Sequence, residues 1–172
     1  AMILDSLIDI NKEYDEQLNA INTTQHWANI ARNYHTNNNQ SLFGIVQGGK
    51  HKELREKSAT DMMTIDFDGY AIGGLAIGET PEERKEIVNF TVEMLPKDKL
   101  RYVMGLGDIE GMLELIELGV DIFDCVWPAR LARHGKIINK GKFLNLKNSK
   151  YKKDTDPLVV GCRCFVCLNF SK

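Results

Sequence analysis

Between residues 13 and 123, short β-rich runs alternate with helical patterns, and every β-rich run is followed at once by glycine or a polar residue. Residues 13–33 read as a helix, 42–46 as a strand, 51–63 as a helix and 69–73 as a strand. Thr80-Pro81-Glu82-Glu83 supplies an N-cap, a proline at the first helical position and a capping-box glutamate, so a helix is expected from there to about Leu95. Residues 101–104 then read as a strand, 108–118 as a helix stopped by Gly119, and 120–123 as the last strand. Such alternation dictates an α/β fold, with parallel strands joined by right-handed helical crossovers.

Unusual residues recur immediately after the expected strands: Gln47-Gly48-Gly49, then Gly73-Gly74-Leu75-Ala76-Ile77-Gly78-Glu79, then Gly105-Leu106-Gly107-Asp108, then Asp124-Cys125. The carboxyl edge of a parallel sheet is where several strands can each donate one residue to a common pocket. Glycine there also lets a flat polar ring approach backbone N–H and C=O groups. Each glycine taken singly is explained equally well by a tight strand-to-helix turn. Four such signals at one edge favour a pocket.

The stretch Asp121-Ile-Phe-Asp-Cys-Val-Trp-Pro-Ala-Arg-Leu-Ala-Arg-His-Gly135 places a carboxylate at the end of an apolar strand with two arginines beyond it. Asp124 there suits a nucleophile, a base or an ordinary helix cap, and arginines at that distance suit phosphates. Residues 129–172 carry 11 Lys and Arg against two acids, whereas residues 1–128 carry 11 against 22. The formal charge of −2 therefore conceals a strongly basic end, and a carboxylate beside a basic surface points to chemistry on a nucleic acid. The lysines at 136, 140, 142, 147, 150, 152 and 153 would add salt-dependent affinity, or be no more than a solvated face.

With 172 residues, 43% of them apolar, the chain can bury a core of its own. It carries no membrane-length apolar run and no signal-peptide pattern, which predicts a soluble cytoplasmic protein without a membrane role. Four cysteines in such a setting are expected to be thiols or metal ligands rather than disulfides. Three of them, Cys162-x-Cys164-x2-Cys167, are close enough in sequence to bind one Zn²⁺ as thiolates, although a closed structural site needs four ligands.

Gly44-Ile-Val-Gln-Gly48, Gly69-Tyr-Ala-Ile-Gly-Gly-Leu-Ala-Ile-Gly-Glu79, Tyr102-Val-Met-Gly-Leu-Gly107 and Phe123-Asp-Cys-Val-Trp-Pro-Ala-Arg130 together resemble the queuine tRNA-ribosyltransferases, also called tRNA-guanine transglycosylases. The resemblance runs from Met2-Ile-Leu-Asp5 to the cysteine motif, essentially the whole chain, and the Gly-Gly-Leu-Ala-Ile-Gly-Glu form is similar to the bacterial branch. It implies exchange of guanine at the anticodon wobble position for the 7-deazaguanine preQ1, in queuosine biosynthesis. Asp124 would be the nucleophile at the ribose C1′ and form a covalent intermediate, so that two displacements retain configuration.

The resemblance further implies that Asp5 and Gln47 bind the guanine edge, the Gly74 N–H its carbonyl, and that Leu75 and Met104 lie along the pocket. Gly105, Leu106, Gly107, Asp108, Ile109, Glu110 and Gly111, with Ala129, Arg130, Leu131, Ala132 and Arg133, would be tRNA-contacting segments around the anticodon arm. The chain departs from the family pattern at Ser6-Leu7-Ile8-Asp9, where Glu-Cys-Thr-Pro is usual, and at Ala129, where threonine is usual. Asp121 is expected to be structural.

The implied architecture is a partial (β/α)8 TIM barrel, about the last five strands, over residues 1–135. A basic, incomplete zinc-binding subdomain would occupy 136–172, its Zn²⁺ held by Cys162, Cys164 and Cys167 and lacking the family's fourth ligand, a histidine. The family's other active-site aspartate, a proton-transferring group, would lie outside this chain. A homodimer is implied for the full enzyme. An open part of a barrel exposes sheet edges and apolar surface, so self-association, or a need for a complementing segment, is expected. Two other readings remain at this point: a non-catalytic tRNA-binding or partner subunit of the same family, and an unrelated barrel glycosidase.

Overall fold

The computed structural model describes residues 1–139 and 141–172, so the expectation for Lys140 lies outside the described residues. The chain forms two compact units, Ala1–Cys125 and Val126–Lys172. In the first, helix α1 (Tyr14–Tyr34) precedes strand β1 (Phe43–Val46), and then follow α2 (Lys52–Ile65), β2 (Gly69–Ile72), α3 (Pro81–Met94), β3 (Leu100–Val103), α4 (Ile109–Glu117) and β4 (Ile122–Phe123). The four strands make one sheet in the order β1-β2-β3-β4, every pair parallel. Each expected strand and helix of this unit is present within two residues of its expected ends. The segment around Met2-Ile3-Leu4-Asp5 differs from a full fifth strand: it contributes a single parallel bridge, Met2 to Phe43.

All four residues of β2 are buried, as a parallel strand covered on both faces must be, and the run Gly-Tyr-Ala-Ile is accordingly not alternating. Its core neighbours include Ile45, Val46, Val103, Met62, Phe67 and Val88. Each such side chain, fully buried, contributes about 1.5–3 kcal/mol relative to exposure. Phe67 and Tyr70 meet edge to face with ring centroids 6.4 Å apart, an arrangement the ring quadrupoles favour. The outer face of α4 carries Ile109, Leu113 and Ile116, between 49% and 60% exposed.

The start of α3 follows its sequence signature. The Thr80 side chain accepts from the Glu83 N–H at 3.2 Å, and Glu83 accepts from the Thr80 N–H at 2.8 Å. Two N–H groups that the helix itself leaves without partners are thus satisfied.

In the second unit, α5 (Trp127–Arg133) is followed by an antiparallel pair, β5 (Lys136–Asn139) with β6 (Lys142–Asn145), and by a short α6 (Phe165–Asn169). The helix α5 was not expected as an element, although Pro128 at its first turn is the usual start signal. Because Pro128, Leu131 and Ala132 line one hollow with Ile137 and Ile138, α5 belongs with the hairpin. The two units accordingly divide at Cys125, ten residues before the boundary read from the sequence at Gly135. Among the described residues no helix is long and apolar enough to cross a membrane.

Replacing Thr80 with alanine removes one arm of the capping box and is expected to lower stability by about 1 kcal/mol, against a few tenths for glycine. Denaturant unfolding of the two variants measures both; no loss in either would show that the cap hydrogen bond contributes nothing here.

Candidate active site

The sheet register decides which residues can meet. Val46 pairs with Ile72, Ile72 with Val103, and Val103 with Phe123, so the next residue of each strand falls in one row: Gln47, Gly73, Met104 and Asp124. Four segments far apart in sequence therefore present one residue each at the same level of the carboxyl edge.

A cleft of about 330 Å³ opens there, lined by Asp5, Leu7, Gly73, Gly74, Leu75, Tyr102, Met104, Gly105 and Asp124. Its volume falls within the roughly 300–1,000 Å³ typical of small-molecule pockets. A larger polar hollow of about 500 Å³, lined by residues such as Arg32, Asn37 and Asp68, lies where the chain enters β1 and β2 and holds none of the candidate residues.

Asp124 is exposed at the cleft. Its Oδ1 accepts from the Tyr102 hydroxyl at 2.7 Å and from the Gly105 N–H at 2.8 Å. Oδ1 is thus anchored from two directions on a residue that is otherwise exposed. Burial first, and then the hydrogen bond to Asp124, push the Tyr102 phenol up to about 12. Tyr102 therefore keeps its proton at neutral pH and acts as a fixed donor to the carboxylate.

Gln47 is buried. Its backbone N–H donates to the Ser58 hydroxyl at 3.0 Å, and its side-chain amide nitrogen donates to a carboxylate oxygen of Asp5. Gly74 has φ +70, and a Cβ there would stand 2.8 Å from the Gln47 amide oxygen. Only glycine permits both the backbone angle and the close approach. Two residues on, Ala76 also has a positive φ of 60. Such a conformation costs an alanine about 1–2 kcal/mol, and Glu79 holds it, accepting from the Ala76 N–H at 2.6 Å and the Ile77 N–H at 3.1 Å.

The structure thus brings Asp5, Gly74, Leu75, Met104, Gly105 and Asp124 to one cleft, with Gln47 hydrogen-bonded to its wall. The segment from Gly105 divides. Leu106 is in the core, and Asp108 caps α4 by accepting from the Gly111 N–H at 2.8 Å, while Ile109 and Glu110 are exposed. Asp121 accepts from the Arg101 N–H at 2.9 Å, the structural role expected of it. Tyr102 and Glu79 were not singled out from sequence as site residues. Tyr102, on β3, lies two positions before Met104, the residue that follows the strand, and the alternation of extended chain puts the two on one side.

In the second unit, Ala129, Arg130, Ala132 and Arg133 are exposed on α5, and Leu131 is half-buried. The two arginines, three residues apart, share a helix face. Lys136, Lys142, Lys147, Lys150, Lys152 and Lys153 are all exposed as well.

The sulfur atoms of Cys162, Cys164 and Cys167 lie within 4.8 Å of one another. Tetrahedral zinc with sulfur ligands at 2.3 Å requires separations of about 3.8 Å, so three thiolates from this group fit one ion with a small adjustment. The Cys167 backbone N–H, then the thiols of Cys162 and Cys167, draw Cys164 below the usual thiol range. No fourth histidine, cysteine or carboxylate joins them among the described residues.

A parallel sheet with a carboxylate, an amide and glycine loops around one cleft defines an α/β protein whose candidate ligand site is at the carboxyl edge. The family model described as Queuine tRNA-ribosyltransferase matches residues 1–172. Similar relatives bearing that name are found in Bacillus subtilis (42% identical, covering 93% of this chain and 42% of the relative). Others are found in Actinobacillus pleuropneumoniae serotype 3 (43% identical, 99% and 45%) and Francisella tularensis subsp. novicida (43% identical, 91% and 43%). The chain belongs to the queuine tRNA-ribosyltransferase family, and it spans less than half the length of these relatives.

Titrating the tyrosines by ¹³C NMR is expected to show Tyr102 ionising at about 12. In Asp124→Ala that value should fall, yet stay above an ordinary phenol, because burial is the larger cause. Since the folded-state value is raised, this linkage leaves stability intact below about pH 10 and removes it as pH rises toward 12. A Tyr102 titration unmoved by the mutation would mean that the hydrogen bond is not formed in solution.

Proposed function

We propose that this chain carries the nucleophile, much of the base pocket and part of the RNA surface of a bacterial-type tRNA-guanine transglycosylase, which replaces wobble guanine with preQ1. The observation that carries the reading is the convergence of Asp124, Asp5, Gly74, Leu75 and Met104 on one cleft, with one Asp124 oxygen anchored.

In this reading the wobble nucleotide leaves the stack and its guanine enters the cleft. The Gln47 amide and the Asp5 carboxylate meet the Watson–Crick edge, the Gly74 N–H donates to the carbonyl, and Leu75 and Met104 bound the ring. Asp124 Oδ2 attacks the ribose C1′; the C1′–Oδ2 bond forms as the C1′–N9 bond breaks, and the electron pair leaves with guanine. A proton must reach that leaving base, a task the resemblance gives to an aspartate outside this chain. The incoming 7-deazaguanine then attacks the same C1′ through N9: the C1′–N9 bond forms as the C1′–Oδ2 bond breaks, and the electron pair returns to the Asp124 carboxylate. The N9 proton passes to the group that had protonated the leaving guanine, and configuration is retained. Tyr102 holds the carboxylate oriented throughout and, as a donor to Oδ1, keeps the negative charge toward Oδ2.

Arg130 and Arg133 suit phosphate contacts through their planar donor forks, and the exposed lysines add affinity without sequence preference. Cys162, Cys164 and Cys167 would hold a structural Zn²⁺, which when bound cross-links the segment around them. The sheet, ordered by sequence and parallel throughout, supports reading it as part of a TIM-type barrel. The exposed apolar face of α4 supports further association, including the homodimer proposed for the full enzyme. A cytoplasmic setting fits a tRNA substrate.

The test is single-turnover trapping with a wobble-guanine anticodon stem-loop and preQ1, read on a denaturing gel and by mass spectrometry. A covalent RNA adduct is expected, absent in Asp124→Ala. Salt-sensitive binding with no adduct would instead favour a non-catalytic tRNA-binding subunit. In the binding arm, Arg130→Ala and Arg133→Ala are each expected to lower the slope of log affinity against log salt by about one.

A further inference from the structure

Arg55 is the largest side chain buried to below 2% exposure, and it lies in the first turn of α2, directly beneath the carboxyl ends of β1 and β2. Buried arginine is ordinarily paired with a carboxylate. Here, among the described residues, it forms no ion pair; its hydrogen-bond partners are three backbone carbonyls. Nε donates to Gly49 at 3.0 Å, and Nη1 donates to Gly73 at 3.0 Å and to Val46 at 3.4 Å. Val46 ends β1, Gly49 lies in the turn after it, and Gly73 follows β2, so one guanidinium ties together the exits of two adjacent strands. Ser58, one turn further along α2, takes the N–H of Gln47 between them at 3.0 Å.

A peptide unit is planar and trans, so its C=O and N–H point in opposite directions. The Gly73 carbonyl and the Gly74 N–H belong to one unit. With the carbonyl held down on Arg55, that N–H is turned to the other side, toward the cleft that Gly73 and Gly74 line. Nη2, which has no partner among the described residues, stands 3.5 Å from the position of a Cβ at Gly74, so the guanidinium underlies that peptide as well. A cation on the carbonyl also polarises the unit and makes its N–H a better donor.

We infer that Arg55 is a positioning residue for base recognition, aiming the Gly74 N–H at the carbonyl oxygen of a bound purine. The inference rests on the reading of the cleft given above. Burial pushes the Arg55 guanidinium down to about 10, opposed by the charge of Glu79, so it remains protonated at neutral pH.

Arg55→Lys tests this, since an ammonium keeps the charge but lacks the planar fork that spans three carbonyls. Two purines distinguish aiming from general support: guanine, which carries the 6-oxygen, and 2-aminopurine, which lacks it. By calorimetry, Arg55→Lys is expected to weaken guanine by about tenfold or more and 2-aminopurine by much less. Equal weakening of both, or no change in either, overturns the inference.

Hydrogen exchange supplies an independent reading. The N–H groups of Gly73, Ala76 and Ile77, all hydrogen-bonded in the parent, should exchange faster in Arg55→Lys while those of α2 keep their protection. Protection lost throughout α2, or retained at all three positions, overturns the positioning role. If the parent chain binds neither purine, the reading of the cleft fails, and the exchange result alone then decides whether Arg55 fixes the loop.

Discussion

The parallel register of β1 to β4 is the constraint on which the rest of this structure depends. Because Val46, Ile72, Val103 and Phe123 are paired across the sheet, the residues that follow them leave it at one level. Nothing else brings Gln47 within reach of Asp5 and of the space above Gly74, or Tyr102 within 2.7 Å of Asp124. A slip of one residue in any strand would send its neighbours to the opposite face. Full burial of β2 makes such a slip costly, since every position of that strand is committed to the core.

Around this row the backbone carries as much of the site as side chains do. Asp124 is anchored by a peptide N–H as well as by a phenol, and the turn after β2 is held by Glu79 from one side and Arg55 from the other. That turn contains two conformations that ordinary residues avoid, Gly74 at φ +70 and Ala76 at φ +60, and strained turns persist only where surrounding groups over-determine them. Two charged side chains of opposite sign perform that service here, so the pocket's shape is fixed by electrostatics below its floor and by glycine at its surface.

Most of the first unit was legible in the sequence because its signals are local. The capping box of Thr80 and Glu83 marks a helix start whatever the tertiary context, and Gly119, with φ +95, marks its neighbour's end. The residues after each strand announced the cleft because glycine and polar types are unusual there. The segment at Met2 could not be told from a full strand, since one bridge and five leave the same apolar pattern over so short a run. Helix α5 was not read as an element, although Pro128 stands at its start.

Tyr102 and Arg55 mark where sequence reading stops, and for a shared reason. A tyrosine in a strand signals packing, and its role appears only once the register sets it beside a carboxylate 22 positions away. An arginine in the first turn of a helix signals solvent, and Arg55 is buried instead because three carbonyls from two strand exits converge on it. The partner of Tyr102 belongs to a different βα unit, and so does one of the three partners of Arg55, Gly73. A single charged or phenolic residue can therefore change from surface ornament to site component with no change in its own neighbours along the chain. What makes the difference is the requirement that buried carbonyls find donors, which here draws one guanidinium to the exits of two neighbouring strands.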